Sequence, residues 1–172
     1  MTPARVFITE VGPRDGLQNE SVVVPLADKV RLVEELAAAG CPEGEVSAFV
    51  RPDRVPQLAD ATDVFGSITK QPATVYSALV PNIEGFDRAY AAGADKVSLF
   101  TAASETFSKR NTNTSVAGTI ERFRPVVEAA TSQEIPVRVY VSCVVECPFE
   151  GKISSEQVAS VVEQVVALGD VE

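Results

Sequence analysis

Short β-rich runs alternate with longer helical runs along the whole chain. Residues 5–11 (RVFITEV) read as a first strand and residues 26–39 as a helix. In that helix Leu26, Val30, Val33 and Ala37 recur at spacings of three and four, and Gly40 supplies the stop. Residues 45–50 (EVSAFV) form the second strand; Pro52 and Pro56 then break the chain before a helix ending near Ile68. Residues 74–80 (TVYSALV) are the third strand, 84–92 a helix stopped by Gly93, and 96–100 (KVSLF) the fourth strand. A polar loop over 109–115 leads into a helix over 116–130, where Pro125 predicts a kink or a break. Residues 137–141 (VRVYV) are the fifth strand. The last helix spans 155–168, with Val158, Val161, Val162 and Val165 as its apolar stripe and Ser154 with Gln157 as a capping box. Residues 170–172 begin something strand-like.

Five strand–helix units in this order mean parallel strands joined by right-handed crossovers. Two architectures fit: an open doubly wound sheet, or a (β/α)8 barrel, which typically takes about 250 residues. The first strand is not followed by G-x-G-x-x-G, which weakens a dinucleotide-binding sheet.

Composition narrows the function classes. The 172 residues are 45% hydrophobic and 23% charged, which excludes a disordered tail and suits one domain. With 15 Lys+Arg against 24 Asp+Glu there is no basic stripe for nucleic acid. No apolar run is long enough to span a membrane, and residues 1–5 lead straight into the first strand, so no signal peptide is expected. Three cysteines in an ordinary composition point to a reducing cytoplasm. The chain has no histidine, so a scheme needing a His base or a His metal ligand cannot be completed within it.

In either architecture ligands gather at the carboxyl ends of the strands. Those ends carry Arg14, Asp15, Gln18, Asn19 and Glu20; Glu45 and Ser47; Asn82; Ser104, Glu105 and Asn111; and Arg138, Tyr140, Ser142 and Cys143. An Arg beside an Asp suits a site where one residue holds a metal and the other neutralises oxyanion charge. It is equally good turn chemistry, with a local salt bridge and no further role. Glu45 in an apolar strand should be paired or functional, and Arg138 is a natural partner. Cys143 and Cys147 fall short of a zinc site, which wants four ligands, and read as two packed thiols. Lys109-Arg110 reads as a solvated turn rather than a phosphate grip.

The segment EVGPRDGLQNE (residues 10–20) resembles the signature of the 3-hydroxy-3-methylglutaryl-CoA lyase family. SAFVRPDRVPQLAD (47–60), LVPNIEGFDRAYAAGADKV (79–97), AASETFSKRN (102–111) and YVSCVVECPFEGKIS (140–154) agree in order and spacing. The likeness covers essentially the whole chain and is more specific than the RDG-x-Q of related isopropylmalate and homocitrate synthases. It implies a TIM barrel, a divalent cation (Mg²⁺ or Mn²⁺), and retro-Claisen cleavage of 3-hydroxy-3-methylglutaryl-CoA to acetyl-CoA and acetoacetate, as in leucine degradation. By the same resemblance Arg14 stabilises the thioester oxygen and Asp15 is a metal ligand. Gln18 and Glu45 line the substrate and order Arg14, Asn111 and Tyr140 are pocket residues near the acyl-CoA, and Arg138 is a structural charge below the site.

The family pattern continues with S-L-G-D-T, an H-x-H pair, a loop bearing a reactive Cys and a later Asn, none of which is in this chain. The expectation is therefore a single partial TIM-barrel domain over residues 1–172: incomplete, about five β/α units, with the carboxy-terminal strands absent. Asp15 alone is expected to hold a cation weakly. Three hypotheses follow: an amino-terminal portion of the lyase, a half-barrel without catalytic activity of its own, or another acyl-CoA or 2-oxo acid enzyme of the superfamily. The isolated chain is expected to show little lyase activity, to be cytoplasmic, and to oligomerise or associate through an open sheet edge.

Overall fold

The computed structural model describes residues 6–172; the start of the expected first strand, at Arg5, lies outside them. The chain divides into two compact units. One comprises the residues up to Leu79 together with Asp87–Lys96, and the other Val80–Phe86 together with Val97–Glu172.

The first unit holds β1 (Thr9–Glu10), α1 (Leu26–Ala38), β2 (Glu43–Ala48), α2 (Ala61–Ser67) and β3 (Val75–Leu79). β2 lies between β1 and β3, and both pairings are parallel. Strand two thus starts two residues earlier than its apolar run, because Glu43 and Gly44 join the ladder. The β2–β3 register slips between Glu45 and Ser47, a bulge beside the fully buried Glu45. Such bulges re-aim side chains at sheet rims and next to sites. The core is Val33, Ala37, Val46, Ala48, Phe49, Leu58, Val64 and Phe65, with the Phe49 and Phe65 rings 5.7 Å apart.

Lys29, not Leu26, faces inward from α1. Its ammonium donates to the Gln57 carbonyl and to both Asp60 carboxylate oxygens, at 2.8 and 2.9 Å. A buried charge is tolerable only when so matched.

The second unit holds β4 (from Val97; the strand is Lys96–Ala102), α4 (Glu105–Thr112), α5 (Val116–Ser132), β5 (Val137–Ser142), a small hairpin of β6 (Glu146–Cys147) and β7 (Gly151–Lys152), and α6 (Ser155–Val166). α3 (Ile83–Ala91) starts in this unit and ends in the first. β4 and β5 pair in parallel from Val97↔Val137 to Ala102↔Ser142.

The expected polar loop over 109–115 is instead largely helical. Ser104 caps α4 by accepting from the Phe107 N–H at 3.0 Å, and Asn113 ends it in the left-handed conformation at φ 56°. α5 runs unbroken through Pro125, so the expected break does not occur.

On α6 the stripe is narrower than expected. Val161 and Val165 are buried against Val116, Ile120 and Val139, whereas Val162, 100° further round the helix, is exposed. Ser154 caps α6, but the Gln157 amide donates to the Ala103 carbonyl at 2.6 Å. The strand-like ending is real in hydrogen bonding: Glu172 N–H donates to Val137 O at 2.9 Å and Val139 N–H to Glu172 O at 2.8 Å.

Candidate active site

The G-P-R-D-G segment folds into a π-helical turn, Gly12–Gly16, directly after β1. One carbonyl, that of Val11, accepts from the N–H groups of Arg14, Asp15 and Gly16, at 3.1, 2.7 and 3.4 Å. π-turns of this kind occur often at functional sites. Pro13 enters without loss because its missing donor lies in the first turn. Glu10 tethers the turn by accepting from Gly12 N–H at 2.7 Å. A Cβ on Gly12 would lie 2.8 Å from that same carboxylate oxygen, so the tether needs glycine there. Asn19 closes the far side, donating from its amide to Asp15 O at 2.8 Å.

The turn aims the Arg14 guanidinium between two carboxylates. Its Nε donates to Glu45 Oε1, and its Nη1 to Asp15 Oδ1 at 2.7 Å. The two acids differ sharply in setting: Glu45 is 0% exposed and Asp15 56%. Glu45 therefore works as a buried anchor, while Asp15 faces solvent and is open to a ligand. Both possibilities raised by the sequence meet here: Arg14 and Asp15 do form a local salt bridge in a turn, and the same guanidinium also reaches a buried acid 31 residues away. An arginine has five N–H donors. These two contacts use one on Nε and one on Nη1, two of the five.

Gln18 follows the turn and is exposed. The loop after it, 21–25, is pinned by Gln57, whose amide donates to Val22 O at 2.9 Å and accepts from Val24 N–H at 2.8 Å. A second buried ion pair, Lys96 Nζ to Glu43 Oε2 at 3.2 Å, lies on the same strand as Glu45 and two residues before it. Sequence reasoning passed over Glu43, Lys96 and Gln57; a charge or amide inside an apolar run was the available signal.

In the second unit Asn111 is exposed on α4, and Tyr140 is half-buried on β5. Arg138 Nη2 donates to the Glu172 carboxylate at 3.3 Å. Lys109 and Arg110 are exposed, as a solvated pair should be, but they are helical and not part of a loop. They occupy the last turn of α4, with the Arg110 guanidinium 4.1 Å over the Phe149 ring. Among the described residues, no group of three or more His, Cys, Asp or Glu side chains is placed to hold a metal ion. Nor is any described helix long and apolar enough to cross a membrane.

Residues 5–172 match the family model described as HMGL-like. A Pseudomonas aeruginosa relative, named 3-hydroxy-3-isohexenylglutaryl-CoA/hydroxy-methylglutaryl-CoA lyase, is 47% identical over 97% of this chain and 56% of its own length. The chicken mitochondrial hydroxymethylglutaryl-CoA lyase is 50% identical over the same shares. Among solved structures, HMG-CoA lyase from Brucella melitensis superimposes with a TM-score of 0.93 at 48% identity, covering 95% of this chain and 58% of that one. An HMG-CoA lyase from Acinetobacter baumannii, solved with coenzyme A and 3-methylmalate, gives 0.91 at 36% identity, covering 95% and 53%. The chain thus spans about half the length of the relatives it matches. Its alternating parallel β/α units are those of an incomplete TIM barrel, as the resemblance implied; the pattern of strands and helices had fitted an open doubly wound sheet as well. The chain belongs to the HMGL-like family.

Proposed function

We propose that the chain carries the enolate-stabilising part of a carbon–carbon lyase acting on 3-hydroxy-3-methylglutaryl-CoA, with acetyl-CoA and acetoacetate as products. The observation that carries this is the Arg14 guanidinium, held between buried Glu45 and solvent-facing Asp15. Retro-Claisen cleavage begins with loss of the tertiary hydroxyl proton. The adjacent carbon–carbon bond breaks, and the acetyl-CoA half leaves as an enolate with charge on the thioester oxygen. A cation fixed before the reaction stabilises that charge without having to reorganise. Arg14 is so fixed, because its Nε is committed to Glu45 and its Nη1 to Asp15. Gln18 is proposed to line the substrate, Asn111 and Tyr140 to contact the acyl-CoA, and Arg138 to act as a structural charge.

Relatives' names support both the acyl-CoA substrate class and the bond cleaved. The Pseudomonas name also includes a longer isohexenyl substituent, so substrates with larger 3-alkyl groups belong in the same class. The location proposed is the cytoplasm; relatives bear both mitochondrial and cytoplasmic names.

The family resemblance implies a divalent cation. The described residues of this chain do not make a site for one by themselves, since Asp15 offers a single carboxylate, already shared with Arg14, and such cations want about six oxygen ligands. This favours a second reading, that the chain alone turns over little or not at all. Placing it in the Pseudomonas relative, in exchange for the matched 167 residues, tests the substrate assignment. The hybrid should release acetyl-CoA and acetoacetate from 3-hydroxy-3-methylglutaryl-CoA in the presence of Mg²⁺ or Mn²⁺. A folded hybrid that cleaves only a different acyl-CoA would overturn it.

A further inference from the structure

Two glutamates hold the π-turn, one at each end of Arg14. Glu45 takes the tip of the side chain, at Nε. Glu10, half-buried at the end of β1, takes the backbone of the turn, accepting from Gly12 N–H at 2.7 Å. Both acids are set by one parallel ladder: Glu10 pairs with Gly44, the residue before Glu45. The spacing between the two anchors is thus fixed by the sheet and not by the turn.

The turn needs the second anchor. N–H groups at the start of a helical segment have no partner within it. Here the Val11 carbonyl serves Arg14, Asp15 and Gly16, Pro13 has no N–H, and Gly12 N–H goes to Glu10. With that bond lost, Arg14 could keep its contact with Glu45 while the backbone that carries it shifts. A misplacement of about 1 Å can cost 10²-fold in rate.

We propose that Glu10 is a positioning residue for the enolate-stabilising guanidinium, acting through the backbone of the π-turn rather than on the substrate. The proposal rests on the reading of Arg14 given under the proposed function. Gly12 offers an independent handle on the same contact. It is not in the left-handed conformation, so its backbone accepts alanine, but a Cβ there would lie 2.8 Å from Glu10 Oε1. Apart from chain neighbours, the only described side-chain atoms within 4 Å of that Cβ belong to Glu10. Gly12→Ala therefore pushes the carboxylate off the turn and copies Glu10→Ala, and once Glu10 is gone the added methyl has nothing left to displace.

The test has two arms. In the 172-residue chain, hydrogen exchange at the Arg14 and Asp15 amides should quicken about tenfold in Glu10→Ala, the size of one lost hydrogen bond, and stay near the parent rate in Glu10→Gln, whose amide oxygen still accepts. Equal exchange in Glu10→Ala and the parent would overturn the proposal. In the hybrid with the Pseudomonas relative, Glu10→Ala and Gly12→Ala should each lower kcat for 3-hydroxy-3-methylglutaryl-CoA about tenfold with KM little changed, and Glu10→Gln should recover most of it. The Glu10→Ala, Gly12→Ala double variant should be no slower than Glu10→Ala. In an Arg14→Gln background Glu10→Ala should add nothing, because both act through one group. An unchanged kcat in Glu10→Ala, or its full loss repeated on top of Arg14→Gln, would overturn the proposal. Should Glu10→Ala not fold, Gly12→Ala gives both readings. A parent hybrid that leaves the substrate uncleaved would overturn the lyase reading instead, and exchange would still decide whether Glu10 holds the turn.

Discussion

Arg14 and Glu45 are joined by a charged hydrogen bond from Nε to Oε1, with the carboxylate fully buried and the guanidinium near the surface. The geometry makes the acid a fixture and the base a tool. Arg14→Met removes this partner from Glu45, and a hydrogen bond to a charged group contributes about 1.5–3 kcal/mol. Urea unfolding should therefore show a lowered midpoint of that size. Arg14→Lys should recover little of it, because an ammonium cannot reproduce the planar fork that meets Glu45 and Asp15 together. A lysine variant as stable as the parent would contradict this account of the pair.

The Lys96–Glu43 pair anchors the same strand two residues before Glu45. Both side chains are nearly inaccessible, at 8% and 2%. Removing one member of a buried pair costs about 3–5 kcal/mol, whereas replacing both by apolar groups is often close to neutral. Lys96→Met should thus be more destabilising than Lys96→Met with Glu43→Leu. A double variant worse than the sum of the two singles would contradict this.

Much of this was legible in the sequence, and the gaps have physical causes. Periodicity found every long strand and helix except α4, whose apolar content is low and which exists because Ser104 and Asn113 close its two ends. The β6–β7 hairpin consists of two-residue strands, too short for any alternation to register. The inward turn of Lys29 escaped notice because hydrophobic patterning scores a lysine as solvent-facing, whatever acid waits opposite it. Glu45 stood out as a charge in an apolar strand, but its pairing with Arg14 spans 31 residues and is set by the bulge and the π-turn. The family resemblance implied that Glu45 orders Arg14; the hydrogen bond by which it does so is a product of the fold.

Acid should loosen the start of α4. Glu150 accepts from Thr106 N–H at 2.6 Å, and its carboxyl is held below the usual glutamate range. The Thr106 side chain is the leading cause, followed by the Thr106 N–H; burial opposes them, and Ser104 and Lys109 add to the lowering. A group depressed in the folded state contributes stability that is fully present above its unfolded value and is lost as pH falls through its folded value. Thermal midpoints should therefore fall below about pH 4.3, the ordinary glutamate value. Glu150→Gln should flatten that part of the curve. An unchanged acid limb in the variant would contradict the assignment.

Gln57 is the clasp of the loop after the π-turn. Gln57→Leu removes the two hydrogen bonds that hold Val24 N–H and Val22 O, each a typical contribution of about 0.5–1.5 kcal/mol. Limited proteolysis should then cut within residues 21–25 faster than in the parent chain. Equal cutting rates would show that the loop is held by something else.

Arg14 is the residue on which the functional reading turns, and its turnover effect is the most direct measurement. In the hybrid with the Pseudomonas relative, Arg14→Gln should lower kcat for 3-hydroxy-3-methylglutaryl-CoA by about 10²–10³, with KM little changed, as for loss of a donor that acts on developing oxyanion charge. A kcat within a few-fold of the parent hybrid, with any loss confined to KM, would contradict the claim that this guanidinium stabilises the departing enolate.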